Sequence, residues 1–168
     1  MTHVNRFLVA IDETEGSMRA VEYLARMVGS RPDAEIRLLH VLPPLPPELL
    51  ETGGAPDEAS QARIEAEQEA EQRAWVAEAT VQAQPVFDRA RSILEGAGVP
   101  AGSVEAHAFD AIPEDRVPGR ILDAARHCGC GTVVMGRHAR SWIGRLLRQH
   151  IAEAVVKDGH GFTVWIVE

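Results

Sequence analysis

The chain has 168 residues, 45% of them apolar and 25% charged, with a formal net charge of −8. That length suits one soluble domain with a full core, and the acidic balance argues against a nucleic-acid partner, which draws on an electropositive face. No apolar stretch approaches the length of a membrane span, and the opening MTHVNRFLVAID lacks a secretory apolar region and cleavage site. A cytoplasmic protein without a membrane partner is therefore expected.

Residues 7–11 (FLVAI) form a short apolar run, predicting a buried strand that ends at Asp12. Thr14 or Ser17 then caps a helix whose apolar positions, Met18, Val21, Leu24, Ala25 and Val28, recur at helical spacing. A second strand is expected over 36–42, stopped by the prolines at 43, 44, 46 and 47. Residues 43–60 are rich in proline, glycine and acid and read as a loop.

From Glu58 to about Gln84 the chain is dominated by Ala, Glu and Gln, which favours helix on propensity alone. Ile64, Trp75 and Val76 give it only a thin apolar stripe, so much of it is expected to be solvated or held by a partner. Pro85 either kinks this helix or opens a new one at its first position. Val86, Phe87, Ala90, Ile93 and Leu94 then supply a proper buried face, ended by Gly96 and Gly98.

A third strand is predicted over 104–109, followed by a loop with Pro113 and Pro118 and a helix carrying Ile121, Leu122 and Ala125. Strand four covers 132–135, a helix runs from about Gln149 to Lys157, and strand five closes at 162–167. Continuous apolar strands alternating with helices predict a parallel sheet covered on both faces.

Several residues carry candidate chemistry. Cys128 and Cys130 sit one residue apart beside His127, a spacing that seldom forms a structural disulfide and lacks the four ligands of a zinc site, so no metal is expected. Asp110, Glu114 and Asp115 cluster after strand three and read as solubilising a loop, the alternative being carboxylates that hold magnesium beside a nucleotide. His40 lies inside a strand as a satisfied structural histidine, His107 faces a helix or solvent, and His160 belongs to a turn. Catalysis finds little support: no G-x-S-x-G elbow, HExxH or GxxxxGK[ST] sequence occurs.

The segment 131–151, GTVVMGRHARSWIGRLLRQHI, is the most informative. An apolar strand ends at Gly136 and opens into Arg137, His138, Arg140, Arg145, Arg148 and His150, with no acid among them. Two readings stand. Either this is a solvated basic face balancing the acidic residues of 57–78, or guanidiniums grip an anion that glycine amides would hold elsewhere.

The opening FLVAIDETEGSMRAVEYLARMV, the second strand IRLLHVLPP, the run GRILDAARHCGCGTVVMGR and the ending IAEAVVKDGHGFTVWIV, in that order, resemble the universal stress proteins. The resemblance implies one domain spanning 1–168, with a proline-rich and acidic loop and an Ala/Glu/Gln helix at about 43–84. It implies a doubly wound five-stranded parallel sheet in the order 3-2-1-4-5 with helices on both faces, a homodimer through strand 162–167, and a part in stress tolerance. In that order strands one and four meet where the winding reverses, so Asp12 and Gly136 should converge at one crevice.

ATP-binding members of that family carry G-x2-G-x9-G-[ST] after strand four. Here the first position is Gly136, the second is Ala139, and the final pair is Gln149 and His150, so only the first matches. By the same resemblance Asp12 would meet the ribose, the backbone near Val41 would edge the adenine and Met135 would line the pocket, with Arg137 and Arg140 offering charge to an anion. ATP or AMP are the candidate ligands. The expected function is a non-enzymatic stress-response protein acting through its crevice. The alternatives are an ATP-dependent regulator or slow nucleotide phosphohydrolase using Asp12 and the arginines, and an interaction module without a ligand whose long helix docks on a protein partner.

Overall fold

In a computed structural model that describes residues 3–29, 31–43, 45–50, 54, 57–109, 116–137 and 150–168, strand and helix alternate. The order is β1 (His3–Ile11), α1 (Glu15–Val28), β2 (Glu35–Val41), α2 (Glu58–Gly96), β3 (Val104–Phe109), α3 (Val117–His127), β4 (Cys130–Gly136), α4 (His150–Asp158) and β5 (Thr163–Val167). The five strands form one parallel sheet in the order β3-β2-β1-β4-β5. Ala10 pairs with Leu39 on one side and with Met135 on the other, so the ends of three strands lie level.

Alternation along each strand sends successive apolar side chains to opposite faces. Val9 and Ile11 of β1 with Ile36 and Leu38 of β2 pack under Met18, Val21 and Leu24 of α1 and Phe87, Ala90 and Leu94 of α2. Leu8, Leu39, Val133 and Met135 pack on the other face under Ile121, Leu122 and Ala125 of α3 and Val155 of α4. Two-sided burial is why the centre of β1 (FLVAI) and β4 (TVVM) read as continuous apolar runs rather than alternating ones.

Thr14, one of the two caps expected, holds the start of α1: its hydroxyl oxygen accepts from the Ser17 N–H at 3.3 Å. Gly29, at φ 46°, ends the helix in a left-handed turn. Ser17 is nearly buried, and its Oγ instead accepts the Asp12 N–H at 2.9 Å.

Pro85 opens no new helix. It lies inside the single 39-residue α2. The buried positions Ala79, Ala83, Phe87, Ala90 and Leu94 form one stripe that passes the proline without a change of phase. Packing along that stripe outweighs the missing N–H of an exposed proline. The first part of α2 is mostly exposed, as its composition predicts. Its Gln68 and Gln72 amides both donate to the Leu49 carbonyl, at 2.9 and 2.7 Å, pinning the proline-rich connection.

The cysteine expectation is corrected. Cys128 and Cys130 are disulfide-bonded, with their Cα atoms 5.4 Å apart. Two residues apart in an extended strand they would be farther from each other, but Gly129 adopts φ 66° and folds the chain back between them.

Candidate functional site

The winding of the sheet reverses between β1 and β4, and open α/β sheets hold ligands in the gap such a reversal leaves at the carboxyl ends of the strands. The structure brings Asp12, Val41, Met135 and Gly136 to that edge. Ala10, Val41, Met135 and Phe109 all belong to the α3/α4 face. Together they make an apolar shelf at the strand ends, against which a flat ring could lie.

Asp12 caps its own turn. Its Oδ1 accepts from both the N–H and the hydroxyl of Thr14, at 3.0 and 2.5 Å. Its Oδ2 makes no hydrogen bond with any described residue and remains a pure acceptor, suited to a hydroxyl or ring N–H. His40, only 4% exposed, braces this turn from behind: its Nδ1 lies 2.9 Å from the Ile11 carbonyl. A carbonyl can only accept, so Nδ1 carries the proton. The Phe87 ring meets the imidazole edge-on at 6.1 Å, and the structural role expected for His40 holds.

The start of α1 is also tied sideways. Arg89 of α2 forks onto Glu15, with its two terminal nitrogens 2.8 and 2.9 Å from the two carboxylate oxygens. The hydrogen bond and charge of Arg89 hold the Glu15 carboxyl below its ordinary value, with a smaller contribution from Arg19. On the far side, the Arg120 guanidinium sits 4.8 Å from the Phe109 ring centre, covering the β3 end of the shelf.

Gly136 is held in a tight place: a Cβ there would lie 2.5 Å from both the carbonyl carbon and oxygen of Gly16. The residue is thus required first by the approach of α1 to β4. The next residue, Arg137, donates its N–H to the Val167 carbonyl at 2.8 Å. Its guanidinium is engaged by the Glu168 carboxylate, on the β5 side of the gap. Ala139, Arg140 and Gln149 lie outside the described residues, as do Asp110, Glu114 and Asp115. His150 is described only as the first residue of α4.

Sequence reasoning missed the shelf residues Ala10 and Phe109, although both stand at strand ends where such reasoning can look. It also missed Gly16, whose only signal was a glycine in the first turn of a helix. No local pattern links Glu15 to Arg89, 74 residues away. Among the described residues, no group of three or more His, Cys, Asp or Glu side chains is placed to hold a metal ion. No helix among them is long and apolar enough to cross a membrane.

A five-stranded parallel sheet wound in the order β3-β2-β1-β4-β5 defines a doubly wound α/β protein. The sequence profile of the universal stress protein family matches residues 3–167, and the chain belongs to that family. No match was found among curated proteins. Among solved structures, a universal stress family protein from Burkholderia pseudomallei is 17% identical with a TM-score of 0.63, covering 97% of this chain and 95% of its own. The universal stress protein UspA from Lactobacillus plantarum is 15% identical with a TM-score of 0.62 over 100% of both chains. A universal stress protein from Archaeoglobus fulgidus in complex with dAMP is 15% identical with a TM-score of 0.56, again over 100% of both. At these identities the likeness is one of fold.

Proposed function

We propose that this chain is a single-domain cytoplasmic stress-response protein that performs no chemistry of its own and acts through occupancy of the β1/β4 crevice by a nucleotide or another phosphate anion. One observation carries the reading: Asp12, whose Oδ2 bonds to no described residue, stands at the end of the strand whose Ala10 is paired to Met135 on an apolar shelf. An acceptor beside an apolar shelf is what a nucleoside requires. The dAMP held by the Archaeoglobus fulgidus protein supports the same ligand class. The basic residues of 137–150, rather than glycine amides, would meet the phosphates.

Titration calorimetry with ATP, AMP and pyrophosphate tests the proposal. Heat with AMP or ATP that is lost on Asp12→Asn supports a nucleoside site. Heat with pyrophosphate alone, lost on Arg140→Ala, supports a bare anion site. Silence with all three ends the reading.

The assembly belongs to the same proposal. β5 is an edge strand of the sheet, and Thr163–Val167 contains neither lysine nor proline. Such an edge favours pairing with a second copy. A monomer in light scattering at micromolar concentration would count against it. A second reading, an interaction module, is favoured by the exposed first part of α2. Deleting residues 57–78 would then abolish capture of a protein partner while the fold persists.

A further inference from the structure

We propose that Cys128 and Cys130 are a reversible dithiol–disulfide site that exchanges with small thiols and disulfides at the end of the sheet opposite the crevice. Three observations carry it.

The first is that the two redox states are both accommodated. Oxidised, Cys128 Sγ is bonded to Cys130. Reduced, the same sulfur has an acceptor waiting, the Ala125 carbonyl at 3.4 Å in the last turn of α3. Neither state leaves that sulfur without a partner, and the left-handed turn at Gly129 brings the two cysteines to bonding range.

The second is asymmetry of access. Cys130 is 0% exposed, packed into the α3/α4 core, whereas Cys128 is half-buried at its edge. An incoming reagent therefore meets Cys128, and Cys130 acts as the resolving thiol. Starting from the dithiol, the Cys128 thiolate attacks a small disulfide RSSR and releases RS⁻, which takes up a proton. Cys130 then loses its proton and attacks the Cys128 sulfur, forming the intramolecular disulfide and expelling the second RS⁻. Two electrons pass from the protein to RSSR, yielding two RSH.

The third is that the bond does little for the fold. A crosslink stabilises mainly by restricting the unfolded chain, and it does so least when the closed loop is shortest. Here the separation is two residues. The pairing of β1 with β4 is also irregular beside it, with a register shift between His3 and Phe7, while Phe7–Ala10 pair regularly with Thr132–Met135. Opening the bond leaves that regular ladder intact.

Folded protein is equilibrated with glutathione at graded ratios of reduced to oxidised form, quenched with N-ethylmaleimide and weighed intact. The expected result is a shift from two alkylated cysteines to none as the ratio falls, with an unchanged circular dichroism spectrum throughout. Cys130→Ser should trap one glutathione on Cys128, and Cys128→Ser should take up none until the protein is denatured. Thiols that stay free at every ratio overturn the proposal, as does a disulfide that resists reduction until unfolding. Glutathione trapped on Cys130 in the folded Cys128→Ser variant overturns the assigned order of attack.

Discussion

Gly136 and Gly16 touch backbone to backbone, at a spacing that leaves no room for a side chain at position 136. The first turn of α1 is thereby pressed against the last residue of β4, closing one wall of the crevice.

Gly136→Ala should accordingly destabilise the protein by about 1–3 kcal/mol or more, because the clash is with backbone that cannot rotate away. Gly119, in α3, has open space around it and a helical backbone. Gly119→Ala should raise stability by about 0.5–1 kcal/mol. Urea midpoints of the two variants, moving in opposite directions, check the pair.

Pro85→Ala should stabilise the chain. The residue is exposed within α2, so no core contact is lost. The variant restores a helical N–H, with a gain of up to about 3 kcal/mol. A rise in thermal midpoint is the expected reading, and a fall would mean that the proline shapes α2 for packing.

Removing the Thr14 hydroxyl releases both the Ser17 N–H at the helix start and one of the groups bonded to Asp12. Thr14→Ala should cost about 1 kcal/mol, and Thr14→Ser should recover most of it. Denaturant titration of both variants separates the cap from any loss of the methyl group.

The Glu15–Arg89 pair sets a pH dependence. Glu15 titrates below its ordinary 4.5 in the folded chain, so folding favours its charged form. That stabilisation is full above the ordinary glutamate range and disappears as pH falls through the lowered folded value. Wild type should therefore exceed Arg89→Gln in stability at pH 7, and the two should converge in strong acid. Both groups are exposed, so the difference should be small and should shrink in high salt.

The sheet was legible because short apolar segments such as FLVAI, each bounded by turn signals, alternate with longer segments of helical spacing. Its order came through resemblance, since no periodicity distinguishes 3-2-1-4-5 from other parallel windings. Pro85 was ambiguous because local propensity opposes helix there while the stripe from Ala79 to Leu94, a tertiary signal, favours it. The Cys128–Cys130 bond was misjudged because spacing alone hides the left-handed turn at Gly129. At the crevice, Asp12 and Met135 were legible as strand-end residues. The closeness of Gly16 to Gly136 and the fork from Arg89 to Glu15 depend on contacts across the fold, which sequence order does not encode.

The position of β1 at the centre of the sheet has a cost during synthesis. β1 is made first, and β2 and β3 complete one flank while the opposite flank waits for Cys130 to leave the ribosome, on the order of ten seconds later. Throughout that interval the amides and carbonyls of Phe7–Ala10 that will face β4 lie bare. The nascent half-sheet is thus the species most exposed to wrong pairing, and a holdase that shields a strand margin would raise yield more than one that shields apolar helices.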